Sequence, residues 1–151
     1  MMKHIIYYIV GTAMLVVMAA CSDFHSSDNG KLDGFWQLTQ VDTLTSGRSE
    51  DVRPKQIFWS VQANLLKMAD LHAMLDKYHG IFFRFEMEEA RLRVYNPVID
   101  MREAGDSIVT SVETLRFYGL SSLDEVFAVL RLEDTKMILQ NEQLRLYFRK
   151  Y

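Results

Sequence analysis

The sequence predicts an all-β fold: an antiparallel up-and-down barrel of about eight strands with one or two short helical segments. Three observations carry this. Apolar and polar residues alternate with a period of two, most clearly from Ile57 to Leu65. Clusters of Gly, Pro, Asn and Asp separate the alternating runs at short intervals. No stretch between those runs reads as the long crossover helix of a parallel βαβ chain. Closing such a sheet removes its edges, and about eight strands leave an interior that is filled by side chains or holds one small ligand.

Residues 1–20 stand apart from this pattern. Lys3 precedes an uncharged run from Ile5 to Ala20, and the only cysteine, Cys21, follows it. A positive start, an apolar centre and small residues at the boundary describe a signal peptide. The run is short for a permanent anchor, which takes about 20 apolar residues, although an uncleaved span is the alternative. Val17-Met18-Ala19-Ala20-Cys21 resembles the lipobox of bacterial lipoproteins, with Met18 in place of the usual Leu. The resemblance implies cleavage before Cys21 and lipid on its sulfur. The expected organisation is then a signal peptide (1–20), a lipidated cysteine with a flexible polar tether (21–30) and a barrel domain (31–151). Two or more acyl chains hold a protein stably at a membrane, at about 0.8 kcal/mol per buried CH₂. Ser22 after the cysteine, rather than Asp, implies the outer membrane by resemblance to enterobacterial sorting.

The first strand is expected from Phe35 to Thr43, with Trp36 and Leu38 on one face and Phe35, Gln37 and Thr39 on the other. Leu44 to Pro54 reads as a turn-rich loop, and Ile57 to Leu65 as the second strand with Ile57, Trp59, Val61 and Leu65 inward. Leu66 to His79 is open. Met68, Leu71, Leu75 and Tyr78 fall at helical spacing, which predicts a short helix over one end of the barrel; continuation of the preceding strand is the alternative. Ile81 to Met87 and Arg91 to Tyr95 form a hairpin in which Glu86 and Arg91 are placed to pair, and Asn96-Pro97 is expected to stop it. Val98 to Thr110 reads as a long connection. Val112 to Gly119 reads as a strand with Leu115 and Phe117 on one face. Ser122 to Glu125 matches a capping box and predicts a single helical turn. The last strands are expected at Val126–Glu133, Lys136–Gln140 and Gln143–Lys150, with Leu144, Leu146 and Phe148 alternating against Arg145, Tyr147 and Arg149.

Charge and cysteine content narrow the function classes. The chain has 17 basic and 20 acidic residues and a formal charge of −3, with no basic run, so nucleic acid is not an expected partner. With one cysteine no intrachain disulfide forms, and the core alone must hold the domain. His25 has no second ligand near it, and His72 and His79, with Asp70 and Asp76, match no metal-binding spacing. No G-x-S-x-G, H-E-x-x-H or phosphate-loop motif occurs, and Glu86, Glu88 and Glu89 read as a solvated turn. The expectation is a protein that is not an enzyme and takes no cofactor or metal.

Gly34-Phe35-Trp36 on a first strand, followed by hairpins and a last strand bearing arginines, resembles the lipocalins of the calycin superfamily. In that family a G-x-W motif packs against an Arg or Lys at the barrel end. Arg149 is the match expected here, with Arg145 second, in a cation–π contact worth about 0.5–2 kcal/mol. The domain looks like the small lipocalin-like lipoproteins of Gram-negative envelopes. One reading is a lipid-tethered barrel that holds a small apolar or amphipathic molecule in its open end, with the aromatic residues Trp59, Phe83, Phe85, Phe117 and Phe127 either lining a cavity or filling it. The other reading is an accessory envelope lipoprotein with a side-chain-filled barrel, whose outward Phe58 and Phe82 meet another protein.

Overall fold

A computed structural model describes residues 27–71, 78–101 and 105–151. Cys21, the lipobox and the residues before them lie outside the described residues, as do His72, Met74, Leu75 and Asp76. The strands are β1 (Gly34–Thr43), β2 (Arg48–Asp51), β3 (Ile57–Gln62), β4 (Leu65–Asp70), β5 (Tyr78–Glu88), β6 (Arg91–Met101), β7 (Ser107–Ile108), β8 (Glu125–Leu132), β9 (Lys136–Gln140) and β10 (Leu144–Lys150). One helical turn, α1 (Glu113–Arg116), and two 3-10 turns (Gly30–Leu32 and Arg53–Lys55) accompany them.

All strand pairs are antiparallel, and β10 pairs with β1 to close the circuit β1-β3-β4-β5-β6-β8-β9-β10. The short β2 and β7 are additions, β2 continuing the pairing of β1 beyond β3 and β7 lying beside β6. The expected barrel is therefore the observed fold. Bulges help it curve, because an extra residue in one strand bends the ladder and increases its twist. Thr39 is the extra residue of β1 against β10, Leu130 that of β8 against β9, and Asn96-Pro97 hold the one in β6 against β5.

The inward face is apolar over most of its length; Glu125, the first residue of β8, is buried on it, and Lys150, the last of β10, covers Trp36. Trp36, Leu38, Trp59, Leu66, Met68, Leu92, Phe127, Leu139 and Leu146 are fully buried in one continuous cluster. Trp59 is at its centre: its ring centroid lies 4.9 Å from that of Phe148 and 6.0 Å from that of Phe127.

The chain departs from the sequence expectations at several places, each with a physical cause. The Ile57–Leu65 alternation is two strands, because the chain turns at Ala63-Asn64 and pairs Gln62 with Leu65. Ala63 takes φ +52, and the turn is held from far away: Asn29 Nδ2 donates to the Ala63 carbonyl at 2.7 Å, and the Ala63 N–H donates to Ser27 Oγ. Residues 65–70 are accordingly strand rather than helix, and Leu71 is exposed. Ser27 and Asn29, expected in the flexible tether, both bond to Asp33.

The loop at 44–54 contains β2, which is wholly exposed and so shows no apolar alternation. Asn96-Pro97 does not end β6; the bulge absorbs the proline, and Pro97 O accepts the N–H of Val109. In that hairpin Glu86 faces Arg93 and Glu88 faces Arg91, two residues from the expected pairing of Glu86 with Arg91. Val112 to Gly119 is not a strand but α1 and its flanks, with Leu115 and Tyr118 buried and Phe117 45% exposed. The expected turn of helix at Ser122–Glu125 is absent, because Glu125 begins β8 and accepts from the N–H and hydroxyl of Ser121.

Candidate functional site

The two ends of the barrel differ in chemistry. At the start of β1, the 3-10 turn Gly30–Leu32 folds its buried Leu32 under the barrel, and Trp36 Nε1 donates to the Leu32 carbonyl at 2.8 Å. Lys150 closes this end. It sits opposite Trp36 in the β1–β10 ladder, its Nζ lies 4.8 Å from the indole centroid, and the same Nζ donates to the Lys31 carbonyl at 3.0 Å. Its stem passes so close to Gly34 that an added Cβ would stand 2.5 Å from Lys150 Cε. Gly34 is thus small because the cation crosses it.

This corrects the assignment of Arg149. Leu146 and Phe148 face the core, so with a period of two Lys150 shares their face and Arg149 points outward. Arg149 Nη2 donates to Gln37 Oε1 at 3.1 Å, and its guanidinium lies over the ring of Tyr151. Arg145 bonds Gln140 Oε1.

At the far end of β1, the segment around α1 packs across the opening. Leu115 and Leu120 enter the core, and Trp59 Nε1 donates to the Tyr118 carbonyl at 3.2 Å. Gly119, at φ +91, allows the segment to approach Leu146, whose methyls would lie 3.1 Å from an added Cβ. Burial pushes the Tyr118 hydroxyl up to about 12, with the charge of Asp70 adding to the effect. Glu125, itself buried, accepts from Ser121 and from Asn141 Nδ2 at 3.0 Å, tying the segment to the β9–β10 turn. What remains of the opening is a recess of about 390 Å³. Its floor is Val41, Val52, Leu120 and Leu144, Phe117 stands at its edge, and Glu50, Lys55, Arg116 and Gln143 supply polar groups. Glu50 pairs with Lys55 at 2.7 Å, and the bond from Lys55 holds its carboxyl below the usual range.

A family model described as a lipocalin-like domain matches residues 15–151. The chain belongs to the lipocalin-like domain family. Among solved structures it is similar to a lipocalin-like protein from Bacteroides uniformis, at 23% identity and a TM-score of 0.59, covering 81% of this chain and 100% of that one. It is also similar to an uncharacterized protein from Bacteroides eggerthii, at 19% identity and a TM-score of 0.56, covering 80% and 99%. At these identities the likeness concerns the fold. The search of curated proteins gave no match.

The aromatic residues expected at a cavity fall into three groups in this lipocalin-like barrel. Trp59, Phe83 and Phe127 are fully buried within the core cluster, and Phe85 packs against it half-buried. Phe117, expected inside, is instead at the rim of the recess. A four-residue helical turn carries too little periodicity to be told from a strand by pattern alone, so the sequence pattern puts Leu115 and Phe117 on one strand face, whereas Leu115 is buried in the core and Phe117 borders the recess. Of the two outward aromatics, Phe82 lies under Lys67 Nζ, whereas Phe58 is 7% exposed because Phe35 stacks on it at 4.7 Å and Tyr151 meets its edge. Among the described residues no group of His, Cys, Asp and Glu is placed to hold a metal ion, and no helix is long and apolar enough to cross a membrane.

Proposed function

We propose that this lipocalin-like protein is a binding module of the cell envelope, tethered to the outer membrane by lipid on Cys21, that takes a small amphipathic molecule at the mouth of its barrel. The observation that carries the binding reading is the recess at that mouth, with an apolar floor and charged groups at its rim. Amphipathic ligands need that division: their apolar part removes floor and ligand surface from water, and a few polar groups fix orientation. The packed rings around Trp59 leave the centre of the barrel to side chains, so the ligand sits at the mouth rather than along the axis.

Calorimetric titration of the soluble domain with lauric acid tests this. Saturable binding is expected, and Phe117→Ala should weaken it about tenfold, since losing a large apolar contact costs about 1.5–3 kcal/mol at full burial and less at a rim. A flat titration with the wild-type domain contradicts the reading. It would favour the second one, an accessory envelope lipoprotein with a filled barrel that contacts another protein, which the solid core around Trp59 also suits.

The tether rests on the sequence around Cys21. The intact mass of the full-length gene product, purified in detergent from its native membranes, should show loss of residues 1–20 and addition of acyl chains. An uncut, unacylated chain would overturn the lipid anchor and leave the mouth reading standing.

A further inference from the structure

The outer wall of the barrel carries a second groove, of about 570 Å³, that shares no lining residue with the mouth. It is built by ladder register. One row runs across five strands: Arg131 of β8 faces Ile138 of β9, Ile138 faces Tyr147 of β10, Tyr147 faces Gln40 of β1, and Gln40 faces Asp51 of β2. The next row sets Lys136 of β9 opposite Arg149 of β10, with Gln37 beyond. The groove lies between these rows, with Arg53 at its edge.

Its charge runs against that of the chain. Arg53, Arg131, Lys136 and Arg149 line it against one carboxylate, Asp51, in a protein whose formal charge is −3. Asp51 is engaged by Arg53 through both oxygens, at 2.6 and 2.9 Å, and Arg131 Nε holds Glu133 at 2.8 Å. Lys136 and Arg149 are left. They stand directly across the ladder from each other, and among the described residues neither has a carboxylate partner. Like charges directly opposite on adjacent strands destabilise a sheet. An anion lying between them reverses the sign of that contribution.

The donors favour an oxyanion. Arg149 spends one donor on Gln37, which fixes the guanidinium and leaves the rest of its fork free, and Lys136 supplies a point charge. The floor is the ring of Tyr147 and the side chain of Ile138, and the Tyr147 hydroxyl is anchored on Asp42 Oδ2 at 2.8 Å, so the ring is held in place. We propose that this groove is a binding site for a phosphate group, carried by a small phosphate ester or by a lipid headgroup, bridged between Lys136 and Arg149 and resting on Tyr147.

Titration of the soluble domain at low ionic strength tests it, with glycerol phosphate as the free probe and vesicles of phosphatidylglycerol, against phosphatidylcholine alone, as the lipid probe. Saturable binding of glycerol phosphate identifies a small phosphate ester as ligand. Binding only to the phosphatidylglycerol vesicles identifies the headgroup. In either case Lys136→Gln with Arg149→Gln should weaken binding at least tenfold, and Lys136→Arg should retain it. Thermal melts give a second, independent readout, because a ligand that binds only the folded state raises its stability. The bound probe should raise the Tm of the wild-type domain and leave that of the double variant unchanged. Binding of neither probe, or equal binding by wild type and double variant, overturns the proposal. The mouth reading is unaffected by either result, because Phe117 and Leu120 take no part in this groove.

Discussion

Trp36→Ala lowers the folding free energy by about 3–5 kcal/mol, the range for truncating a large buried aromatic. The indole is fully buried, its N–H satisfies the Leu32 carbonyl, and its face receives Lys150. Removing it opens a cavity at the closed end, leaves that carbonyl without its donor, and loosens the turn that brings Leu32 into the core. Domains of this size have about 5–15 kcal/mol of stability in all, so the variant approaches the unfolding threshold. Urea denaturation measures the loss. The same experiment, in phosphate-free buffer, separates the two cations of the last strand. Lys150→Ala should cost about 0.5–2 kcal/mol for the lost cation–π contact, and Arg149→Ala no more than about 0.5 kcal/mol as an exposed surface change. A larger loss for Arg149→Ala than for Lys150→Ala contradicts the arrangement described here.

Gly80→Ala is the second large effect. Gly80 is the bulge residue of β5, where Tyr78 pairs with Met101 but Ile81 with Ile99, so β5 carries one residue more than β6 over that interval. Its φ is +114, and an added Cβ would stand 2.5 Å from the Met68 carbonyl oxygen and 2.9 Å from Ala69 Cβ. Both neighbours belong to the adjacent strand and cannot swing away as a side-chain tip would. Backbone strain of this kind costs about 1–3 kcal/mol, and displacing β4 adds to it, so a loss of about 3 kcal/mol or more is expected. Gly47→Ala is the control. Its φ is +68 and nothing lies within 4 Å of an added Cβ, so only the left-handed penalty of about 1–2 kcal/mol applies. Equal losses for the two variants would mean that β4 does not press on β5 at Gly80.

Much of this barrel is legible in the sequence because its inner face is apolar over most of its length. Leu144, Leu146 and Phe148 alternate without interruption, and so do Phe83 and Phe85 against Phe82 and Arg84. The same alternation contained the answer at the closed end. Phe148 inward places Lys150 inward and Arg149 outward, and the period outranks the preference for arginine drawn from family resemblance. Other features carried no local signal. The turn at Ala63 depends on Ser27 and Asn29, more than thirty positions earlier in the chain, so no window around Ala63 contains its cause. The strand β2 buries nothing, and α1 is too short to show a helical period. The mouth was missed for the same reason: its wall is the segment around α1, and its apolar floor joins residues from β1, the β2–β3 connection and β10. The cationic groove was hidden in a different way. Lys136 and Arg149 are ordinary outward charges until the β9–β10 register sets them face to face.

A methyl-resolved NMR titration of the soluble domain with lauric acid distinguishes a ligand held at the mouth from one lying along the axis of the barrel. Methyl signals of Val41, Val52, Leu120 and Leu144, around the mouth, should shift in proportion to occupancy. Those of Val61 and Leu66, at the Trp36 end, and of Leu139, in the packed interior, should stay in place. Shifts spread through Val61, Leu66 and Leu139 would show a ligand running down the axis of the barrel, and would contradict a solid core that binds only at its mouth.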